Sequence, residues 1–181
     1  GRGMGGSGSV NGTVYTRGDV QDFTAWPSGW QWHAIVPASE AIEHRLRVRF
    51  RAPTQLTERC IRAAESIGFI HKNGLNDGRL NRFIGYNDMN FEGELRRSSY
   101  VAFIRDAKPA LDLLTIRLHS TLQRIIFDTT NTAVAIEYRE AGVTKQVLIG
   151  REIILCAGAL ETPKLLMLSG IGPAAELRRY G

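Results

Sequence analysis

The sequence predicts an α/β fold, and three observations carry that expectation. The hydrophobic period is helical over residues 54–69 and alternates after residue 113. "EIILC", residues 152–156, is a short continuous apolar run, as expected of a strand buried on both faces. It leads straight into Ala157-Gly158-Ala159 and a helical pattern. Strand, glycine turn, helix places helix N-terminal N–H groups at the carboxyl edge of a sheet, where α/β folds bind ligands.

The first segment is "GRGMGGSGSVNG", residues 1–12, half of it glycine. Glycine has no Cβ and accepts positive φ, so such a loop lets a large anionic or planar ligand approach the main chain. Gly1, Gly3 and Gly6 match G-x-G-x-x-G, as do Gly3, Gly5 and Gly8, but that pattern has meaning only between a strand and a helix. No Lys-Ser or Lys-Thr follows, so the run is not a Walker loop. A linker or expression remnant would not run on into "SVNGTVYTRGDVQDFTAW", which mixes small, β-branched and aromatic residues as folded protein does.

Residues 22–44 are aromatic and turn-rich, with Pro27 and Gly29 as breakers. "HRLRVRFR", residues 44–51, reads as a strand with Arg45, Arg47, Arg49 and Arg51 on one solvated face and Leu46, Val48 and Phe50 on the other. Residues 54–69 read as a helix capped by Thr54 or Thr57 and closed near Gly68, with Leu56, Cys60, Ile61, Ala64 and Ile67 as its apolar stripe. Residues 71–93 are rich in Asn, Asp and Gly and read as a loop. A second helical pattern covers 96–111, capped by Ser98 or Ser99 and ended by Pro109. One or two strands follow over 113–127, then a hairpin turning at Ala141-Gly142, the strand "EIILC", and a helix from about Thr162 to Ser169 with Pro163 at its first position.

The formal net charge is +5, much of it in the basic run. No zinc spacing, RNA-binding aromatic motif or basic tract with interleaved aromatics supports a nucleic-acid module. No apolar run is long enough to span a bilayer. Cys60 and Cys156 do not form C-x-x-C and read as small buried residues. His33, His44, His71 and His119 are isolated, as are Asp88 and Glu92.

The two glycine segments together resemble the glucose-methanol-choline (GMC) family of FAD-dependent oxidoreductases. The first motif stands here as Gly1, Arg2, Gly3, Met4, Gly5-Gly6, Ser7-Gly8, Ser9, Val10, Asn11 and Tyr15, followed by "TRG" at 16–18. Met4 replaces the usual Leu, Gly8 the usual Ser, and Thr24 the usual acidic or polar residue. The second motif is Gly158-Ala159, Thr162-Pro163, Leu165-Leu166 and Ser169-Gly170-Ile171-Gly172. "RRSSYVAFI" and "LTIRLHSTLQRIIF" are similar to the stretch between the motifs, and the region around 44–54 is shorter than in typical members.

The resemblance implies an FAD/NAD(P)-binding, Rossmann-like domain interleaved with part of an α+β substrate domain. It implies a flavin-binding glycine loop and lid over 1–43, a substrate-domain segment over 44–95 and the return of the FAD-binding domain over 96–181. It assigns Arg2, Gly5, Gly6, Ser7, Asn11 and Gly12 to the flavin and pyrophosphate, Leu122 to adenine, and Ala157, Gly158, Ala159 and Thr162 to the ADP part, with capping as an alternative for Thr162. Val10 stands where some relatives carry a covalently attached His, so the expected FAD is non-covalent. The family's first dinucleotide-binding unit is expected before Gly1 and its catalytic His beyond Gly181, which would make the chain an internal piece of an enzyme. The implied reaction is oxidation of a small-molecule alcohol by hydride transfer to the flavin, with the electron acceptor open. A non-catalytic flavin-binding relative and a basic anion- or nucleic-acid-binding module are the alternatives.

Overall fold

The computed structural model describes residues 1–106 and 113–180, which fall into two compact units, Gly1–Leu114 and Thr115–Gly181.

In the first unit the chain passes through a 3₁₀ turn, Gly6–Ser9, to strand β1 (Val14–Tyr15), helix α1 (Trp32–Leu46) and strand β2 (Val48–Phe50). Helix α2 (Gln55–Ser66), strands β3 (Ile70–His71), β4 (Phe83–Ile84), β5 (Asp88–Glu92) and β6 (Leu95–Arg96), and a π-helical turn, Val101–Arg105, follow. β5 is the centre of an antiparallel sheet. Met89 is paired with both Val14 and Arg49, and Phe91 with Arg96. β3 and β4 form a separate parallel pair.

Helix α2 forms as expected. Thr54 accepts from the Thr57 N–H at 3.2 Å while the Thr57 hydroxyl accepts from the Thr54 N–H at 2.9 Å, a reciprocal cap. Its other end closes at Gly68, φ 96, through Gly68 N–H to Glu65 C=O and Phe69 N–H to Ala64 C=O. Of its apolar stripe only Ile61 is buried; Leu56 and Ile67 are exposed, and so is Cys60.

Three expectations for this unit are corrected. Residues 32–46 are a helix, not a turn-rich stretch. "ASEAIEHRL" is a run of good helix formers, and Pro37 is the sixth residue, where its missing N–H leaves only the His33 carbonyl without its helical donor. The basic run 44–51 is therefore not one strand: His44–Leu46 close the helix, Arg47 turns left-handed at φ 52, and Val48–Phe50 alone pair. Its arginines meet separate partners. Arg45 lies 5.4 Å from the Phe103 ring centroid, Arg47 pairs with Glu92, and Arg49 and Arg51 lie 4.9 and 4.8 Å from that of Phe91. Residues 88–92, read as loop, are the central strand: partners on both sides outweigh the poor strand propensity of Asp88 and Asn90. The 96–111 helical pattern is realised over 99–105, with Ser98 Oγ accepting from Val101 N–H at 3.4 Å; Pro109 lies outside the described residues.

In the second unit, strands β7 (Ser120–Phe127), β8 (Ala133–Glu140) and β9 (Val143–Leu148) form an antiparallel meander, and helices α3 (Gly158–Leu168) and α4 (Ala174–Tyr180) follow. The hairpin turns at Ala141-Gly142, with φ of 51° and 82°, as a two-residue turn with both φ positive should. Residues 152–156 are not a strand. Among the described residues no strand pairs with them, and Ile154 is 76% exposed and Cys156 is exposed. Ile125, Ala135, Tyr138 and Leu165 are the buried apolar side chains.

One polar cluster pins β1 to α1. Arg17 donates to both Glu43 oxygens, at 2.5 and 2.6 Å, and Arg17 holds the Glu43 carboxyl below its ordinary range. Burial, followed by the Glu43 carboxylate, pushes the Tyr15 hydroxyl up to about 12. The folded state thus keeps a proton that unfolded chains release above a pH of about 10. Stability at Tyr15 is present below that pH and is lost as pH rises toward about 12. The urea midpoint of the wild type is expected to fall more steeply than that of Tyr15→Phe between about pH 10 and 12. Parallel curves would remove the assignment.

Candidate functional site

The glycine loop is shaped from both sides. At Gly5, φ 86, an added Cβ would lie 2.3 Å from Ser9 Oγ and 3.1 Å from Ser98 Oγ. Ser9 cannot easily yield, because its hydroxyl donates to the Met4 carbonyl at 2.7 Å. Gly6, φ 53, differs: a Cβ there would meet nothing within 4 Å. Gly5 is therefore glycine for internal packing, and Gly6 for backbone conformation beside open space. Ser7, Asn11, Gly12 and Arg2 are exposed, and so is Val10, at 70%.

β6 and the segment after it support this loop. Arg96 Nη1 donates to the Gly8 carbonyl at 3.2 Å and to Asn11 Oδ1 at 2.6 Å, and Nη2 donates to the Asn11 carbonyl at 2.5 Å. Ser99 Oγ donates to the Gly5 carbonyl at 3.2 Å. Arg97 faces the other way. Its Nη1 donates to Glu92 at 2.9 Å and Asp106 at 2.8 Å, and its Nε donates to the Arg45 carbonyl at 2.7 Å. It is 6% exposed, so three acceptors satisfy a charge that burial would otherwise make costly. The spacing of "RRSSYVAFI" places none of its residues at the loop. Between 85 and 94 residues separate the partners, and only folding joins them.

In the second unit Leu122 is half-buried on β7 opposite Tyr138, and the register shifts between Leu122 and Arg124. Helix α3 starts at Gly158, φ 92, behind Ala157, so Thr162 lies inside it and caps nothing. Pro163 is its sixth residue rather than its first. Its missing N–H leaves the Ala159 carbonyl without the i+4 donor, a loss the helix tolerates near its start better than in its middle. Ala157 offers no side-chain cap, so the first N–H groups of α3 are open to an acceptor, and a Cβ at Gly158 would meet nothing within 4 Å. Ser169 Oγ accepts from Ile125 N–H at 2.8 Å and donates to the Leu165 carbonyl at 2.6 Å, which seats the helix on β7. Gly170 closes it, through Gly170 N–H to Met167 C=O and Ile171 N–H to Leu166 C=O.

The predicted site residues thus fall into two sets, one in each unit: Arg2, Gly5, Gly6, Ser7, Asn11 and Gly12, and Leu122, Ala157, Gly158, Ala159 and Thr162. Each set, taken by itself, has space beside a positive-φ glycine, Gly6 in the first and Gly158 in the second, where a ligand can approach the main chain. Among the described residues no group of three or more His, Cys, Asp or Glu could hold a metal ion. Asp88 and Glu92 are engaged structurally, with Asn76 and with Arg97 and Arg47. No described helix is long and apolar enough to cross a membrane.

The first unit thus holds a glycine loop braced by a distant strand, and the second a glycine-entered helix beside an antiparallel meander. The GMC oxidoreductase model matches residues 1–179, and the chain belongs to that family. It is 33% identical over 199 residues to an oxygen-dependent choline dehydrogenase of Rhizobium etli, covering 100% of this chain and 36% of the relative. It is 30% identical over 204 residues to an alcohol dehydrogenase [acceptor] of Pseudomonas putida, with 100% and 36% covered. The crystal structure of pyridoxine 4-oxidase from Mesorbium loti superposes with a TM-score of 0.81 at 28% identity, covering 93% of this chain and 36% of that one. The chain therefore spans about a third of the length of the curated relatives it matches.

Gly5→Ala is expected to destabilise the protein by about 1–3 kcal/mol, since it combines a positive φ with displacement of Ser9. Thermal unfolding of the variant beside the wild type measures it; an unchanged midpoint would mean that the loop is not packed in this way.

Proposed function

We propose that this chain forms part of an FAD-dependent oxidoreductase that oxidises an alcohol. The observation that carries the reading is the glycine loop, where Gly6 combines positive φ with open space and Gly5 is packed against Ser9 and Ser98. The names of the relatives, which act on choline, alcohols or pyridoxine, support an alcohol substrate without selecting one. In this reading residues 1–43 are the flavin-binding loop and lid, 44–95 a substrate-domain segment, and 96–181 the return of the FAD-binding domain.

Gly5, Gly6, Ser7, Asn11, Gly12 and Arg2 are assigned to the flavin and pyrophosphate, and Leu122, Ala157, Gly158, Ala159 and Thr162 to the ADP part. Bound FAD supplies a two-electron acceptor that takes hydride at N5 from the alcohol carbon. The residues of this chain bind and orient. The open first turn of α3 favours an anion, through unpartnered N–H groups and the helix dipole. The loop's exposed main chain permits close approach of a flat ring. No base among residues 1–181 is assigned to the alcohol proton. Val10 has no nucleophile, which supports non-covalent FAD.

Two outcomes are expected of the full-length protein. Acid or heat releases its flavin into the supernatant intact; flavin that stays with the denatured polypeptide removes the non-covalent assignment. Gly6→Val loses most of its flavin absorbance per protein, yet keeps native far-UV dichroism, because the side chain enters space left for the cofactor. Normal flavin content in that variant would show that the loop does not hold FAD.

A further inference from the structure

Arg96 belongs to neither set of residues assigned above to the cofactor, yet its guanidinium spans the end of the glycine loop, reaching the Gly8 carbonyl and both oxygens of Asn11. The Thr13 N–H also donates to Asn11 Oδ1, at 3.0 Å. Two donors therefore converge on one amide oxygen. A flipped amide would set its NH₂ against both, so the orientation of Asn11 is determined by its surroundings and not by convention. The carboxamide has one acceptor and two donor hydrogens. With the acceptor held by Arg96 and Thr13, the Nδ2 hydrogens are what Asn11 can offer on the exposed side of the loop.

We infer that Arg96 is a positioning residue for cofactor binding: it locks the Asn11 amide so that Nδ2 donates to an acceptor oxygen of bound FAD. This inference rests on the FAD reading above. Its chemistry is specific to arginine, because the planar fork reaches several acceptors at fixed spacing whereas lysine offers a single point charge. Arg97, on the opposite side of the chain, is held by Glu92, Asp106 and the Arg45 carbonyl, so the segment presenting Arg96 is itself anchored.

A double-mutant cycle on FAD binding by the full-length apo-protein, followed by quenching of flavin fluorescence, tests this. N11A and R96A are each expected to weaken FAD binding about tenfold, and the double variant by about tenfold too, because both remove one shared interaction. R96K is expected to recover little of the loss. N11D guards against misfolding: it keeps acceptors for Arg96 and Thr13 but removes the donors. It should bind FAD about tenfold more weakly, with altered visible dichroism of the bound flavin and an unchanged thermal midpoint of the apo-protein. ADP as probe locates the acceptor: an equal loss for ADP places it on the pyrophosphate, and a loss for FAD alone on the isoalloxazine. Multiplying losses in the double variant, or wild-type affinity in N11D, would overturn the positioning role and leave the FAD reading intact. A wild-type protein that binds no FAD would overturn the FAD reading and the positioning role with it.

Discussion

Two neighbouring guanidinium groups with opposite directions organise the first unit. Successive residues of an extended chain project to opposite faces, so Arg96 and Arg97 cannot serve the same partners. Arg96 reaches the glycine loop, while Arg97 gathers Glu92, Asp106 and the carbonyl of Arg45 near the end of α1. The buried Arg97 has little freedom, since removing any acceptor would leave a desolvated charge partly unpaired. Its position thereby sets that of Arg96, Ser98 and Ser99, and these set the loop. The π-helical turn that follows is the wider, less regular form that recurs beside functional sites.

The second unit has a different anchor. Ser169 gives one hydroxyl two tasks, accepting from the β7 backbone and donating to the last turn of α3. Gly170 and Ile171 then close the helix with backbone bonds, so the Ser-Gly-Ile segment of the second motif acts here as helix termination. Its upstream end has no side-chain cap, and Gly158 enters it at φ 92. The helix is thus tied at its C-terminal end and free of a side-chain cap at its N-terminal end.

What could be read from the residues alone was the local chemistry. The reciprocal Thr54–Thr57 cap, the Gly68 closure, the Ala141-Gly142 hairpin turn and the two glycine motifs all lie within a few residues of the signals that announce them. Each is decided by short-range sterics and hydrogen bonding, which sequence spacing encodes directly.

Tertiary pairing decided the rest. Residues 88–92 became the central strand because Val14–Tyr15, Val48–Phe50 and Leu95–Arg96 supply backbone partners on both edges, which no local propensity announces. "EIILC" has strand composition yet no ladder among the described residues, since apolar character alone cannot satisfy backbone groups without a neighbour. The support of Gly5, Gly8 and Asn11 by Arg96 and Ser99 spans more than eighty residues of chain. The sequence by itself determined the family, the glycine loop and the capped elements, because those depend on neighbours in the chain. Which strand is central and which arginine holds the loop were decided only by the folded structure, because those depend on hydrogen-bond partners that the chain brings together from far apart.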